Sequence, residues 1–292
     1  MIIIMLLDKF SAIWVSHTSI SDFQQCPRAY FLKHVYKDPK SGHKIKVMTP
    51  PLSLGQVVHE VIDQISTLPT RDRFSKLLMD RFDALWVKVS GKQGGFYDRE
   101  TEDRYKRRGR EMISRITKNS GPISRKAVKI KESLPYYWLS ESENIILCGK
   151  VDWLEYLSEN DSVHIIDFKT GKSSENPKSL QLPIYYLLVT NIQGRAVSKA
   201  SYWYISRQDE LTEQKLPDPQ IAYEDVFAVA QQIKIARQLS RFNCPDGGCR
   251  SCAPMERIIN GEGEYVGIDE YKTDIYILPP ALENDENESE IL

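Results

Sequence analysis

Two aspartates and a lysine in neighbouring predicted strands are the residues best placed for chemistry. Asp152 lies in GKVDWLE, and Asp167 and Lys169 lie two residues apart in IIDFKTGK. Residues i and i+2 of a strand point to the same face, so Asp167 and Lys169 project together, and Asp152 joins them if the strands pair. Two carboxylates beside an ammonium group could hold a hard divalent cation and leave the lysine to orient a water or offset phosphoryl charge. A cross-strand salt bridge would give the same pattern.

His59 lies in a predicted helix over residues 54–65, where apolar residues recur at helical spacing. At about 100° per residue, it falls more than a quarter turn from the centre of the apolar stripe, so its position is not that of a core residue. A neutral imidazole among oxygen ligands shifts the preference from magnesium toward manganese. Gln181 and Tyr185, four residues apart on the next predicted helix, share a face, although an ordinary helix with a buried tyrosine has the same spacing.

The cysteines suggest a second centre. Cys244, Cys249 and Cys252 form a C-x4-C-x2-C run, and three thiolates need a fourth ligand to close a tetrahedral or cluster site. Cys26, in FQQCPRAYF, is the candidate, whereas Cys148 lies in an apolar strand and is predicted to be a buried free thiol. Zinc, a ferredoxin-type 2Fe–2S centre and a radical adenosylmethionine site use related spacings.

Four motifs occur in a fixed order: GQVVHE, GKVDWLE, IIDFKTGK and QLPIYY. Over residues 16–254 this order resembles the PD-(D/E)XK nuclease superfamily, and within it the RecB-like exonucleases, which include CRISPR-associated and phage exonucleases and AddB-type nuclease domains. The resemblance implies that His59, Asp152 and Asp167 ligate a metal and that Lys169 is catalytic. It also implies that Gln181 and Tyr185 lie beside the active site. We further expect the Phe168 carbonyl as a metal ligand and Glu132, at the end of the first predicted strand, as an additional acidic residue.

The same branch often carries one cysteine before the nuclease core and three after it, which together bind a 4Fe–4S cluster. The run from Ser19 to Tyr30 resembles the N-terminal motif of that branch. The triplet departs from the usual C-x2-C-x5-C spacing, since its gaps are four and two. The resemblance therefore implies a 4Fe–4S cluster that staples the two ends of the domain, with zinc as the alternative.

Composition sets broad limits. The chain has 292 residues, a net charge of −1, 41% hydrophobic and 27% charged residues, which argues against wholesale disorder, collagen-like repeats and a disulfide-dense scaffold. The longest apolar run, at the N-terminus, is too short to span a bilayer and lacks the features of a signal peptide. We therefore expect no membrane partner and a cytoplasmic protein, or one in the host cytoplasm if it is phage-encoded.

Charge is unevenly distributed. Residues 104–131 carry eleven basic residues and one acidic residue, which is typical of a surface for a polyanion as well as of a solvated face. A phosphate track of this kind would suit single-stranded DNA ends. The predicted DNA contacts are Arg104, Lys106, Arg107, Arg108 and Arg110.

Helical periodicity dominates the first part of the chain and strand periodicity follows. We predict helices over 54–65, 74–89, 179–190 and 223–239, and strands over 128–131, 145–153, 163–168 and 200–206. The predicted fold is α/β, a restriction-endonuclease-like core with a central mixed sheet flanked by helices, a helical N-terminal addition and an iron–sulfur-stapled C-terminus. The predicted organisation is an extension over 1–15, one domain over 16–275 and an acidic, disordered tail over 276–292. Within the domain we expect a helical part near 16–125, a catalytic core near 126–210, and a helix with the cysteines near 220–260.

The expected function is a metal-dependent DNA exonuclease that uses Mg²⁺ or Mn²⁺. The expected substrate is single-stranded DNA or DNA ends, and the expected setting and partners belong to recombination and repair, phage DNA processing or CRISPR adaptation. One alternative is a non-catalytic DNA-end-binding iron–sulfur protein or adaptor that keeps the nuclease fold. Another is an electron-transfer or radical iron–sulfur enzyme, for which the aspartates and lysine would be a coincidence.

Overall fold

Three small sheets surrounded by helices make up residues 8–74 and 76–279, the part of the chain that the computed structural model describes. The strands are β1 (Ile13–Val15), β2 (Lys44–Val47), β3 (Tyr136–Ser140), β4 (Ile145–Cys148), β5 (Trp153–Leu157), β6 (Ser162–Phe168), β7 (Ala196–Trp203), β8 (Thr212–Gln214), β9 (Glu264–Ile268) and β10 (Thr273–Ile277). The helices are α1 (His17–Gln25), α2 (Pro27–Tyr30, continued by a π-helical turn over Phe31–Val35), α3 (Pro50–Ser66), α4 (Leu78–Trp86), α5 (Arg99–Lys118), α6 (Gln181–Ile192), α7 (Pro219–Gln238) and α8 (Ala253–Ile259).

The largest sheet has the order β5-β6-β7-β8 and is mixed, because β6 pairs antiparallel with β5 and parallel with β7. Every residue of β6 is buried, since both faces of this strand are covered. One face packs into the apolar cluster built by α3, α4 and α5. The other packs against α6 and α7. The sheet that carries the candidate site therefore lies between two helical layers.

The helical N-terminal addition has a regular apolar interface. On α3 the buried residues recur at the predicted helical spacing, at Leu54, Val57, Val58, Val61, Ile62 and Ile65. Helix α5 crosses this layer closely at Gly109, where an added Cβ would lie only 2.4 Å from the Phe82 ring. Glycine at this point allows α5 to pack directly on α4.

Parallel strand pairs bind an early and a late segment of the chain into sheets. Strand β1 pairs with β4, so residues 13–15 of the predicted extension belong to a sheet. Strand β2 pairs with β10, which continues to residue 277, two residues into the predicted tail. Residues 1–7 of the extension and 280–292 of the tail lie outside the described residues. None of the described helices is long and apolar enough to cross a membrane.

Some predicted elements were wrong. Residues 128–131 do not form a strand, and only an isolated bridge joins Ala127 to Glu155. The strand predicted over 145–153 is two strands, β4 and β5, which lie in different sheets, so the expected central sheet is divided. The chain bends at Asp152, whose side chain accepts the N–H of Phe168. The helix predicted over 74–89 is shorter, since α4 covers 78–86 and a 3₁₀ turn follows.

Candidate active site and cysteine centre

The β5–β6 pair brings the two aspartates to the same end of the sheet. Trp153 lies opposite Ile166, so Asp152 and Asp167 are neighbours across the two strands. Asp152 Oδ2 accepts the Phe168 N–H at 2.9 Å, and Asp152 Oδ1 lies 3.3 Å from His59 Nδ1. His59 projects from the middle of α3 with its side chain 36% exposed. The structure thus places His59 beside Asp152, and the Phe168 carbonyl stays a prediction as a ligand.

Lys169 follows β6 directly and is held on several sides. Its Nζ lies 3.0 Å from Asp167 Oδ2 and 2.7 Å from Glu175 Oε2, and it donates a hydrogen bond to Gln181 Oε1. The ammonium group also lies 4.9 Å from the centre of the Tyr202 ring. With only 17% of the side chain exposed, the position of this cation is fixed by its neighbours.

Gln181 connects these groups to helix α6. Its Nε2 donates to Asp167 Oδ1 at 3.0 Å and lies 3.2 Å from the Tyr185 hydroxyl, one turn further along the helix. Since its Oε1 accepts from Lys169, one buried amide bridges the aspartate, the lysine and the tyrosine. The four motifs found in the sequence therefore meet at one place.

Comparison with protein-family models decides the family. The model of the PD-(D/E)XK nuclease superfamily matches residues 14–257, most of the chain. The chain belongs to the PD-(D/E)XK nuclease superfamily. Membership indicates a metal-dependent nuclease, a hydrolase that uses divalent cations such as Mg²⁺ or Mn²⁺ and has DNA as its substrate. No curated protein sequence matches the chain.

The electrostatics of the candidate site fit a divalent cation. Burial raises the pKa of Asp167 to about 7, and the nearby Asp152 carboxylate acts in the same direction. Among the described residues, the buried Asp167 Oδ2 atom is approached by the Lys169 ammonium group at 3.0 Å. A cation between two carboxylates would offset their repulsion and use this oxygen. The donor set of one imidazole and two carboxylates thus suits the metals used by the superfamily.

The basic partners respond to the same charges. Burial lowers the pKa of His59, but the facing Asp152 carboxylate outweighs it, and the pKa is raised overall. Burial likewise lowers the pKa of Lys169, while Asp167 and Glu175 raise it by more. The Tyr185 hydroxyl is buried near both aspartates, which raises its pKa well above the usual value.

Glu175 and His17 belong to the surroundings of the candidate site but were missed in the sequence. Glu175 lies in the loop between Lys169 and α6, where its N–H donates to the Tyr204 hydroxyl at 3.0 Å. The ring of His17 lies 6.5 Å from that of Tyr185, and its pKa is lowered by burial and by Lys169. A loop carboxylate has no periodicity that would reveal it, and His17 is the first residue of a short helix.

Glu132 and the five predicted DNA-contact residues lie further out. Glu132 is exposed and lines a cavity of about 300 Å³ with Asp152, so its role stays a prediction. On α5, Lys106 and Arg110 both pair with Asp83, Arg108 stacks on Tyr105, and Arg104 and Arg107 are exposed. Within residues 8–74 and 76–279, none of the five forms a hydrogen bond or ion pair with the nuclease site.

The four predicted cysteines converge into a second centre. The Sγ atoms of Cys26, Cys244, Cys249 and Cys252 all lie within 4.8 Å of one another, and those of Cys249 and Cys252 are 3.7 Å apart. In the described part of the chain this is the most compact group of possible metal ligands, and His59, Asp152 and Asp167 do not converge to the same degree. Cys148 stands apart as a buried thiol near the Val15 carbonyl.

The thiols of the centre differ in their surroundings. Backbone N–H groups of Cys252 and Ser251 lower the pKa of Cys249 to about 6, because they stabilise its thiolate. Burial raises the pKa of Cys26 to about 12 and also raises that of Cys252. Burying several thiolates side by side is unfavourable without a cation, so this centre fits a bound metal or cluster.

Proposed function

We propose that the chain is a metal-dependent DNA exonuclease that hydrolyses phosphodiester bonds in single-stranded DNA or at DNA ends. The observation that supports this most is the buried group formed by Asp167, Lys169 and Gln181 beside the His59–Asp152 pair. Asp152, Asp167 and Lys169 are all intact, which argues against a non-catalytic adaptor, because loss of activity normally removes one of them. An electron-transfer or radical enzyme would not require this group.

The residues have distinct roles in the proposed reaction. His59, Asp152 and Asp167, with the Phe168 carbonyl, would hold Mg²⁺ or Mn²⁺, which on binding lowers the pKa of a water and polarises the scissile phosphate. Lys169 stabilises the negative charge that develops on the phosphoryl oxygens, because its ammonium group is already fixed before the substrate arrives.

Gln181 and Tyr185 act as positioning residues in this proposal. The Gln181 amide holds Asp167 and Lys169 in one arrangement, and the Tyr185 hydroxyl fixes the amide in turn. Glu132 is proposed as an additional acidic residue at the edge of the site, on the cavity that it shares with Asp152. These residues order the groups that touch the substrate.

Digestion of end-labelled single-stranded DNA tests the proposal. Wild type, Lys169→Ala and the exposed-lysine control Lys199→Ala are compared with Mn²⁺, Mg²⁺ or EDTA. We expect metal-dependent degradation by wild type and control, a loss of about 10²- to 10³-fold in Lys169→Ala, and a polarity given by the label. A wild type that binds DNA but does not degrade it would refute the enzyme and support the end-binding adaptor.

We propose that α5 contributes the DNA-binding surface through Arg104, Lys106, Arg107, Arg108 and Arg110. Arg104 and Arg107 are the exposed members that no carboxylate neutralises among the described contacts. Replacing both by glutamine should weaken DNA binding and reduce the slope of log K against log salt by about 2, one unit for each phosphate contact. An unchanged salt slope would remove α5 from the binding surface.

We propose that the cysteine centre is a structural staple, and two occupants have support. The resemblance to RecB-like exonucleases favours a 4Fe–4S cluster. The Sγ separations favour a single ion such as zinc, since a tetrahedral ion with bonds of about 2.3 Å places its sulfurs about 3.8 Å apart. A cubane puts four irons between the thiolates and requires wider spacing.

Metal analysis and visible absorption of the anaerobically purified protein separate these occupants. Iron and acid-labile sulfide in equal amounts, with a broad visible band, establish the cluster, and one zinc per chain without sulfide or the band establishes the single ion. Cys252→Ser should lose the metal and stability, whereas Cys148→Ser should keep the metal, because its thiol is not part of the centre. Full metal content in Cys252→Ser would contradict the assignment.

The proposed setting is recombination and repair, phage DNA processing or CRISPR adaptation in the cytoplasm, with the proteins of those pathways as partners. Its support is the resemblance of the four motifs to RecB-like exonucleases. The polarity of digestion measured above, followed by affinity capture of the full chain from its native cells, tests this placement.

A further inference from the structure

The turn between β9 and β10 reaches the mouth of the candidate site from the far end of the chain. A cavity of about 850 Å³ is lined by His59, Thr170 and Tyr271. The cavity of about 300 Å³ that reaches Asp152 is also lined by Tyr271. One tyrosine at the tip of this turn therefore stands between the two openings that flank the metal-binding residues.

Tyr271 is held out from the protein rather than packed into it. It is 80% exposed, although tyrosine carries a large apolar ring. The turn is well ordered, because Asp269 Oδ1 accepts the backbone N–H groups of both Tyr271 and Thr273 at 2.9 Å. An aromatic ring presented in this way is prepared to cover another flat apolar surface with little further loss of entropy.

Lysines surround the smaller cavity. Lys129 and Lys150 each lie 2.9 Å from one carboxylate, that of Asp63, so together they keep one uncompensated positive charge. Lys131 lines the same cavity and adds another charge, which the exposed Glu132 partly offsets. Lys150 also lies close enough to the Tyr271 hydroxyl to act on its pKa, opposing the increase caused by Glu270. Ammonium groups and an exposed ring thus occur together beside Asp152.

We propose that Tyr271 stacks on a base of single-stranded DNA while Lys129, Lys131 and Lys150 bind the adjoining phosphates. This inference rests on the proposed nuclease function and adds a residue that selects the substrate. Bases in a duplex are covered on both faces by their neighbours, whereas an unpaired base offers a free face to an aromatic side chain. Tyr271 therefore increases the affinity for single-stranded DNA over duplex DNA. By stacking on one base, it also sets the position of the strand that enters the metal site.

A photo-cross-link tests the contact itself. Single-stranded DNA carrying 5-iododeoxyuridine is irradiated with the full-length protein in EDTA, which prevents cleavage. Trypsin releases residues 258–272 as one peptide, and fragmentation distinguishes Tyr271 from Tyr265, an exposed tyrosine of β9 that lines neither cavity. A cross-link at Tyr271 is expected, and DNA cross-linked only elsewhere would overturn the proposal.

Affinity measurements in EDTA test the selectivity. Base–aromatic stacking corresponds to about 5- to 150-fold in affinity, and the exposed position of Tyr271 points to the lower end of that range. Tyr271→Ala should weaken single-strand binding by about 5- to 10-fold, while Tyr271→Phe and Tyr265→Ala bind like wild type and duplex binding is unchanged. Equal single-strand binding by Tyr271→Ala and wild type would overturn the proposal.

The two proposals fail in different ways. If wild type degrades DNA and Tyr271→Ala binds and degrades it equally well, the stacking role is overturned and the nuclease stands. If wild type binds single strands through Tyr271 but degrades nothing with any metal, the nuclease function is overturned and the binding surface stands. A wild type that does not bind DNA overturns both.

Discussion

Replacement of Glu175 by glutamine tests whether Lys169 is catalytic because it is fixed in place. The substitution keeps the shape of the side chain and removes the charge that lies 2.7 Å from Lys169 Nζ. Hydrogen bonds to charged groups contribute about 1.5 to 3 kcal/mol, and Lys169 keeps Asp167 and Gln181, so we take the lower value. At about 1.4 kcal/mol per factor of ten, the single-turnover rate constant of cleavage should fall about 10-fold.

Single-turnover digestion of end-labelled single-stranded DNA with Mn²⁺ measures this effect. Glu159→Gln, in the exposed turn after β5, is the matched control and should be unaffected. Substrate affinity in EDTA should not change for Glu175→Gln, because the residue positions Lys169 and does not bind DNA. A rate equal to that of the control, or a loss as large as that of Lys169→Ala, would refute this reasoning.

Three further predictions concern stability. Gly109→Ala should destabilise the fold, because an added Cβ would lie 2.4 Å from the Phe82 ring. Overpacking of this kind costs about 1 to 3 kcal/mol, whereas the gain in helix propensity is only about 1 kcal/mol. Urea titration measures the effect, and an unchanged midpoint would contradict the prediction. Asp22→Asn should lower the melting temperature at neutral pH. Burial raises the pKa of Asp22, but bonds from His34 and Lys33 lower it by more, so its stabilisation is present above about pH 4 and lost as the pH falls further. The melting temperatures of wild type and Asp22→Asn should therefore converge in acid. A difference between them that stays the same at every pH would exclude the charge of Asp22 as the cause. Removal of the cysteine-bound metal by prolonged incubation with a chelator, rather than by the brief exposure to EDTA of the binding measurements, should destabilise wild type but not Cys252→Ser. Equal effects on both would place the bound metal elsewhere.

Local patterns were sufficient for the elements that carry the site. Strand β6 was predicted from its short, continuous apolar run, and the alternation of a strand placed Asp167 and Lys169 on one face. The place of Gln181 beside them came from the resemblance of the four motifs, because its spacing on α6 also fits an ordinary helix. The spacing of Cys244, Cys249 and Cys252 likewise predicted a centre that needed a distant fourth cysteine, and the structure brings Cys26 to it. Side chains within one element, or in a compact motif, are placed by that element's own geometry.

The features that the sequence did not predict depend on contacts between distant residues. Strand β2 has four residues and is recognised only when β10 lies beside it, so neither strand was predicted. The break between β4 and β5 was missed because the apolar alternation continues through it. Glu175 lies in a loop, where the spacing of residues does not indicate where a side chain points. Each of these features depends on contacts between residues far apart in the chain.

The pairing of the two ends of the chain has a consequence for biosynthesis. Cys26 and β2 are translated more than 200 residues before their partners, the other three cysteines and β10. Loops this long close slowly, so a growing chain exposes an unpaired strand edge and a thiol without a ligand. His59, Asp152 and Lys169 are translated before that closure. Prematurely terminated chains would therefore carry the proposed catalytic residues on an incomplete fold, and we expect cellular proteolysis to remove such chains.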